Sequence, residues 1–331
     1  MQLTQKKSRR GDLLTAAAVA MLLAVMAALL YTGSLTRQVT NMLIPTAVYI
    51  VMAVSLNLVV GLLGELSLGH AGFMSVGLFS GCLVAIALTN TALPLMLRLP
   101  VSMLAGGLTA AVFGLLVGLP TLRLRGDYLA IVTLACGEII KNIITNLRVT
   151  GGALGLNTSA IYAGAKELLP YGAALVLLTV AVMLNLKRSK YGRAIMAIRD
   201  NRIAAESVGL SVTRYKLAVF VIAAFFAGCA GVLYGHSLAN IKAAAFDYNM
   251  SIEILVIVVL GGMGSVPGSV VSAIVLTVLP EALREVADYR MLVYAVVLIL
   301  VMQATNNPAM KRFFGAVCKS LTSKRKERAA L

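Results

Sequence analysis

MLIPTAVYIVMAVSLNLVVGLL, residues 42–63, is the stretch that decides the class of this protein. It runs for 22 residues without a charged side chain. A helix needs about 20 predominantly apolar residues to cross the hydrocarbon core of a bilayer. Met42–Leu63 therefore predicts a transmembrane helix.

Five further stretches of the same character lie on either side of it: Leu13–Tyr31, Leu68–Leu88, Pro100–Leu119, Leu168–Leu186 and Leu217–Gly235. A seventh, Tyr128–Leu147, is interrupted by Glu138, Lys141 and Asn142. The first stretch follows basic residues, as the core of a signal peptide does, but it is 19 residues long and no clear small-residue cleavage site follows it. We therefore expect it to be retained as a membrane span.

The composition excludes a soluble protein. Of 331 residues, 60% are hydrophobic and 13% are charged, and the mean hydropathy is +0.91. A soluble chain devotes about a quarter of its residues to charge, which hydrates its surface. We therefore expect an all-α fold, a polytopic bundle of transmembrane helices whose outer surface contacts lipid.

The net charge of +16 indicates membrane topology, not nucleic-acid binding. Basic residues concentrate in the first ten positions, between Lys187 and Lys216, and from Lys311 to Arg328, and the sequence has no Trp among them or elsewhere. Positive charge in loops beside apolar spans follows the positive-inside rule. We divide the chain into a cytoplasmic basic segment (1–12), a transmembrane domain (13–306) and a cytoplasmic basic tail (307–331).

Charge also predicts how the chain threads the membrane. With the N-terminus in the cytoplasm, seven crossings place Arg123, Arg125 and all eight basic residues of Lys187–Lys216 inside. The region after Met250 then needs an odd number of crossings if the basic tail is to return to the cytoplasm. This parity gives about 8–10 membrane segments, some of them broken or short.

The glycine-rich stretch GGMGSVPG, Gly261–Gly268, gives the required odd number of crossings if it breaks the last long apolar segment into two. An unbroken Ile252–Leu279 followed by Met291–Gln303 leaves the tail outside, whereas the broken form places 21 basic residues inside and 8 outside or within a span. Each arm is then about 10 residues long, which is short for a crossing. Two interpretations remain open: the break lines a transport path, or it is a tight turn near the cytoplasmic surface.

Signatures of catalysis are almost absent. The sequence has no Gly-x-x-x-x-Gly-Lys-Ser/Thr loop for ATP and no His-Glu-x-x-His pair for zinc. Its four cysteines lack the spacing of metal ligands, and two histidines, His70 and His236, are too few for a His-based metal centre. Ser67 with His70 is a weak candidate for a hydrolase pair. We expect no cofactor and no metal in this chain.

The internal loop, residues 187–216, carries the most informative pattern. From Arg193 to Val208 it predicts a helix or a helix pair, and Gly209 predicts its stop. A modest apolar stripe is formed by Ala194, Ile195, Ile198, Ala205 and Val208. A charged amphipathic helix can lie on lipid headgroups or dock into a groove on a partner. The alternative is a solvated linker.

Five motifs, in order, resemble those of the LivM-type permeases of branched-chain amino acid ABC transporters. They are LSLGHAGF (66–73), RLRGDYLAIVTL (123–134), TGGALG (150–155), the loop motif GRA…RDN…AAESVGL (192–210) and VVLGGMGS (258–265). The resemblance extends over roughly residues 45–305. The wider Ala-Ala-x-x-x-Gly coupling motif of ABC permeases is matched by Ala204, Ala205 and Gly209, without its usual Leu-Pro ending.

The resemblance implies a transport subunit in a bacterial inner membrane, and not an enzyme. Its partners would be a second, different permease, two cytoplasmic ATPases that hold ATP and Mg²⁺, and an extracytoplasmic solute-binding protein. The implied cargo is a branched-chain amino acid. Urea, a short amide or another small solute is the alternative, and a stand-alone secondary transporter is a further one. The implied ATPase-coupling residues are Gly192, Arg193, Arg199, Asp200, Asn201, Ala204, Ala205, Glu206 and Gly209.

Candidate residues of the translocation path lie within or beside the apolar stretches: Asn57, Ser67, Gly69, His70, Glu138, Gly261, Gly262 and Gly264. An ionisable residue inside a span is a functional candidate by default, but Lys141 can neutralise Glu138 on the same helical face. For Asn57 the alternative is a hydrogen bond between helices. Glu65 stands where family members commonly carry an uncharged residue, which leaves its role open.

Overall fold

The computed structural model describes residues 2–32, 36–90, 94–124 and 126–282, together with residues 296 and 299. The chain divides into two units, Met1–Thr277 and Val278–Leu331, and the relations given below belong to the first. The predicted cytoplasmic tail (307–331) lies outside the described residues. So does Met291–Gln303, apart from residues 296 and 299, which are helical.

Within the described residues the chain forms eleven α-helices. In chain order they are α1 (Gln2–Tyr31), α2 (Arg37–Asn57), α3 (His70–Ala87), α4 (Leu95–Thr121), α5 (Asp127–Asn146), α6 (Ala165–Arg188), α7 (Lys190–Asp200), α8 (Arg202–Ser207), α9 (Val212–His236), α10 (Tyr248–Gly261) and α11 (Val266–Ala282). A π-helical segment, Leu58–Leu63, continues α2. Two short strands, β1 (Leu156–Asn157) and β2 (Asn240–Ile241), pair antiparallel.

Among the described residues, seven helical segments are long and apolar enough to cross a membrane: Arg37–Leu63, His70–Ala87, Met96–Thr121, Asp127–Asn146, Ala165–Arg188, Val212–His236 and Ala243–Gly261. The first six confirm stretches predicted from the sequence. The predicted first span, Leu13–Tyr31, lies within the 30-residue helix α1, of which Ala16–Tyr31 is apolar. The prediction of a polytopic all-α membrane protein is confirmed.

Helix α2, which contains most of the apolar stretch 42–63, lies in the middle of the bundle. It packs against α6, α9 and α10. Every residue from Ala47 to Leu63 is buried except Tyr49, which is half-buried. A helix that is apolar on all sides is suited to a position surrounded by other helices, because it has no polar face to present to water.

Glycine brings α3, α4 and α9 close together. A Cβ atom at Gly77 would overlap the backbone of Gly228 in α9, and one at Gly114 would overlap Ala224 in the same helix. Small residues permit close helix approach in a membrane, where packing and not the hydrophobic effect drives association. The Gly-x-x-x-Gly pairs 77/81 and 114/118 therefore serve close packing between these helices.

The predicted break between α10 and α11 is confirmed, but the predicted length of its arms is wrong. Gly262 and Gly264 have φ values of +87° and +82°, which glycine adopts at little cost. The arms have 14 and 17 residues instead of about 10. One reason is that Asp247 caps α10, accepting a hydrogen bond from the Met250 amide at 3.2 Å, so the helix starts upstream of the apolar run.

Loop contacts define two ends of the bundle. At one end, which we call the strand end, β1 and β2 join the loops that follow α5 and α9. At the other end, the coupling end, α2 and α6 finish, α9 begins, and α7 and α8 lie between them. This agrees with the predicted threading, in which residues 148–167 and 236–250 share one side and residues 187–216 lie on the opposite side.

Candidate functional site

The predicted helix pair is present at the coupling end as α7 and α8. Ser189 caps α7 by accepting a hydrogen bond from the Gly192 amide at 3.0 Å. Asn201 ends α7 and caps α8, accepting from the Ala204 amide at 3.1 Å. Gly209 then ends the pair with a φ of +83°. Side-chain caps of this kind satisfy amides that the helix itself leaves free, so the corner between α7 and α8 is built by local sequence.

A small apolar core of its own holds this pair against the start of α9. Its buried residues are Ile198, Ala205 and Val212, with Leu210 and Tyr215 packed around them. The predicted stripe is correct for Ile195, Ile198 and Ala205, which are buried, but wrong for Val208, which is 76% exposed. The reason is the corner at Asn201, because a helical period does not continue across it.

The exposed surface of α8 carries apolar side chains without a partner in this chain's described part. Ile203 is 80% exposed and lies beside exposed Ala204, and Val208 follows the helix. Most of the predicted coupling residues are also exposed: Arg193, Arg199, Asp200, Asn201, Ala204, Glu206 and Gly209. Gly192 and Ala205 are buried instead, where they allow close packing within the segment.

Three basic side chains connect this helix pair and its flanks to the membrane helices. Arg199 donates from Nη1 to the Gly61 carbonyl in the π-helical segment at 2.9 Å. Lys187 donates from Nζ to the Gly264 carbonyl in the α10–α11 break at 2.8 Å. Lys216, only 4% exposed, forms an ion pair with Glu65. We call Asn57, Glu65, Lys187, Arg199 and Lys216 the polar junction.

Asn57 holds the break in place from the other side. Its Oδ1 accepts from the Gly264 amide at 2.7 Å, and its Nδ2 donates to Ser269 Oγ at 2.8 Å and to the Ser265 carbonyl at 3.2 Å. These are the interhelical hydrogen bonds that sequence analysis offered as the alternative to a substrate contact. Because Gly264 lies beside Gly61 and Lys187, the break sits at the coupling end, which favours the tight-turn interpretation over a path lining.

A second polar group surrounds the start of α3. His70 is buried, and its Nε2 lies 2.8 Å from Ser55 Oγ on α2. The preceding loop is held by Thr133 of α5, whose hydroxyl accepts from the Leu68 amide at 3.1 Å. Gly69 packs on the Thr133 carbonyl, which leaves no room for a side chain there. Irregular backbone at membrane depth survives because the surrounding helices satisfy its amides.

The hydrolase pair considered from the sequence does not form. His70 pairs with Ser55, and the buried Ser67 hydroxyl has no hydrogen-bond partner in the described part of the chain. Across the same described residues, no group of His, Cys, Asp and Glu side chains is arranged to hold a metal ion.

Two carboxylates within the bundle differ in their partners, because one pairs with a lysine and the other with a tyrosine hydroxyl. Glu138 forms the predicted ion pair with Lys141 and also accepts from the Tyr248 amide at 2.9 Å. Glu253, near the start of α10, accepts from the Tyr49 hydroxyl at 3.2 Å. Sequence analysis missed Glu253, although a single carboxylate inside an apolar stretch is itself a signal.

Comparison with known proteins identifies relatives. The family model described as "Branched-chain amino acid transport system / permease component" matches residues 38–302. The permease protein LivM of the high-affinity branched-chain amino acid transport system is 36% identical in Salmonella typhimurium and 37% identical in Escherichia coli, over 78% of this chain. The permease protein LivH from Salmonella typhimurium is 31% identical over 37% of this chain and 40% of its own length.

The chain spans 66% of the length of each of those two LivM proteins. No solved structure matches this chain significantly.

Proposed function

This chain belongs to the family of permease components of branched-chain amino acid transport systems, and we propose from that premise that it is a membrane-spanning subunit of an ATP-driven importer of branched-chain amino acids. Identity of 36–37% to two LivM proteins supports this substrate class. Urea or a short amide is the alternative cargo.

The observation that carries the coupling part of this proposal is the attachment of α7, and of the end of α6 that precedes it, to interrupted membrane helices. Arg199 holds the π-helical end of α2, and Lys187 holds the break between α10 and α11. A π-helical segment and a glycine break are both points where a helix changes direction without breaking many backbone hydrogen bonds. A push on the helix pair therefore reaches the end of α2 through Arg199, and it reaches the α10–α11 break through Lys187 at the adjoining end of α6.

The mechanism we infer is mechanical. A partner ATPase grips the exposed surface of α8, formed by Ile203, Ala204 and Val208, and moves it when ATP binds. The polar junction passes this movement to α2 and α10, so that a path between two permease chains opens alternately to each side of the membrane. ATP and Mg²⁺ stay on the ATPases, and this chain supplies the path and the lever.

The assembly we propose contains a second permease of the LivH kind, two cytoplasmic ATPases and an extracytoplasmic solute-binding protein. Similarity of one stretch of this chain to LivH supports a pair of related permeases. The eight basic residues between Lys187 and Lys216 support a cytoplasmic coupling end by the positive-inside rule. That orientation also places the strand end outside, where a solute-binding protein delivers its cargo.

Reconstitution tests this proposal. The chain is co-expressed with the second permease, the ATPases and the solute-binding protein of its own organism, purified through a tag on the ATPase, and inserted into lipid vesicles. We expect co-purification, ATP hydrolysis stimulated by the loaded binding protein, and ATP-dependent uptake of radiolabelled leucine.

Two results count against it. Uptake by the purified chain alone, without ATP, indicates a secondary transporter. ATP-dependent uptake of urea or acetamide, with no uptake of leucine, isoleucine or valine, keeps the importer but replaces the cargo.

A further inference from the structure

We propose that Glu253, positioned by Tyr49, binds the ammonium group of the amino acid as it passes through the bundle. This inference rests on the function proposed above and adds to it a residue that recognises one chemical group of the cargo. A contrast among the carboxylates that lie within or beside the membrane helices carries it.

Two of those carboxylates have a cation of their own. Glu65 pairs with Lys216, and Glu138 pairs with Lys141. Glu253 differs from both, because among the described residues no Lys or Arg nitrogen lies within ion-pair distance of it. An ionised carboxylate removed from water and left without a cation is costly, so such a group is retained where it has a function.

The immediate surroundings of Glu253 suit a transient cation. The Tyr49 hydroxyl donates one hydrogen bond to Oε2 at 3.2 Å, which fixes the carboxylate but leaves most of its lone pairs free. An ammonium group carries three N–H donors and a full positive charge, so it can satisfy the remaining acceptor positions and neutralise the site.

The position of Glu253 also allows cargo to reach it. It lies eight residues before the end of α10 at Gly261, which corresponds to about 12 Å along the helix axis from the glycine break. The side chain is half-buried, and its neighbours Tyr248 and Ile252 are 48% and 41% exposed. The half-buried carboxylate is therefore not sealed within the described part of the bundle, and in the proposed assembly we place it beside the path between the two permease chains.

The first test uses Glu253→Gln, which keeps the shape of the side chain and the hydrogen bond from Tyr49 but removes the charge. Glu167→Gln is the control, because that carboxylate is exposed in the first turn of α6. In reconstituted vesicles we expect E253Q to lower leucine transport per ATP hydrolysed about tenfold, the factor that corresponds to one lost charge-assisted hydrogen bond. Assembly and ATP hydrolysis should stay at the wild-type level, and E167Q should lower transport less than about twofold.

The second test separates charge from folding within one variant. Glu253→Cys is assembled into the transporter and then treated with a thiol reagent that adds either a sulfonate or a neutral methylthio group. We expect the sulfonate to restore a large part of leucine transport and the neutral group to restore none. Wild-type transporter treated in the same way controls for reaction at the native cysteines.

The outcomes distinguish this inference from the function on which it rests. A wild-type assembly that moves no amino acid removes both. An active wild-type assembly whose leucine transport per ATP is unchanged by E253Q overturns the ammonium site alone. Equal rescue by the two thiol reagents also overturns it, because shape and not charge would then be what the position requires.

Discussion

The polar junction and the site around Glu253 differ in whether their charged side chains have partners within the chain. In the junction each polar side chain finds its partner inside the chain: Glu65 with Lys216, Arg199 with Gly61, and Lys187 and Asn57 with the α10–α11 break. At Glu253 the carboxylate has a tyrosine hydroxyl and no cation among the described residues. The contrast teaches that internally paired groups hold the permease together, while groups left incomplete are available to partners and cargo.

The largest effect is expected when one partner of the Glu65–Lys216 ion pair is removed. Glu65→Gln leaves Lys216 charged and buried, at 4% exposure. Losing one partner of a buried ion pair costs about 3–5 kcal/mol, so we expect a large fall in thermal stability of the purified chain in detergent. The double variant Glu65→Gln/Lys216→Met should recover much of it. Equal stability of the single variant and wild type would show that the pair does not hold α9 against the end of α2.

Glycine contacts at the junction allow a sharper test of packing. A Cβ atom at Gly61 would overlap both Asn57 Oδ1 and the Gly264 amide, whereas one at Gly164 meets nothing within 4 Å. Gly61→Ala should therefore destabilise the chain by about 1–3 kcal/mol, and Gly164→Ala should leave its melting temperature nearly unchanged. The measurement is thermal unfolding of both variants side by side. Similar melting of the two variants contradicts a tightly closed junction.

The exposed apolar residues of α8 allow a test of a surface that, unlike the junction, has no packing partner among the described residues. Ile203→Asp changes a side chain that is 80% exposed, so the stability of this chain should change by less than about 0.5 kcal/mol. If α8 is the ATPase-binding surface, affinity for the ATPase should fall about tenfold, as expected for a central interface residue. Surface plasmon resonance with the permease in nanodiscs measures this directly, and Ser207→Asp, also exposed, is the control for added charge.

A substitution at buried Ala205 tests whether the orientation of α8 couples ATP hydrolysis to transport. Ala205→Leu overpacks the small core with Ile198 and Val212, which displaces α8 from the start of α9 at a cost of about 1–3 kcal/mol. We expect the assembled variant to hydrolyse ATP but to transport less leucine for each ATP. Transport and hydrolysis that fall in proportion, or not at all, would show that the orientation of α8 does not couple them.

The smallest effect is expected at Gly209, which ends the α8 turn with a φ of +83° and where an added Cβ atom would meet nothing within 4 Å. Gly209→Ala therefore costs only backbone strain, about 1 kcal/mol. A small drop in melting temperature with unchanged ATPase affinity is the expected result. A loss of affinity as large as that of Ile203→Asp would show that Gly209 itself lies in the interface.

Local patterns accounted for most of the fold. Six apolar stretches became full-length spans, the coupling loop became a helix pair, and the glycine-rich stretch became a break. The errors have local causes too. Val208 was assigned to the apolar stripe because a helical period was carried across the corner at Asn201, and the arms of the break were too short because the cap at Asp247 was overlooked.

The functional residues were harder to predict for a different reason. Sequence analysis could name Asn57, His70 and Glu138 as polar residues in apolar surroundings, but not the distant partners of Asn57 and His70. Asn57 meets Ser269 across 212 residues, and Glu65 meets Lys216 across 151. Nothing in the local sequence of either residue specifies such a partner. Glu253 carried the signal of a lone carboxylate in an apolar stretch, but only the structure showed that none of its described neighbours is a cation.

What the sequence alone determined is the membrane class, the position of the spans and the place of the charged helix pair, because length, hydropathy and capping are properties of neighbouring residues. The tertiary structure decided which charges are neutralised and which stay incomplete, and it placed the glycine break beside the coupling helices. The physical reason is that the free-energy cost of a charge in a membrane protein depends on the groups within a few ångströms of it. Those groups come from distant parts of the chain.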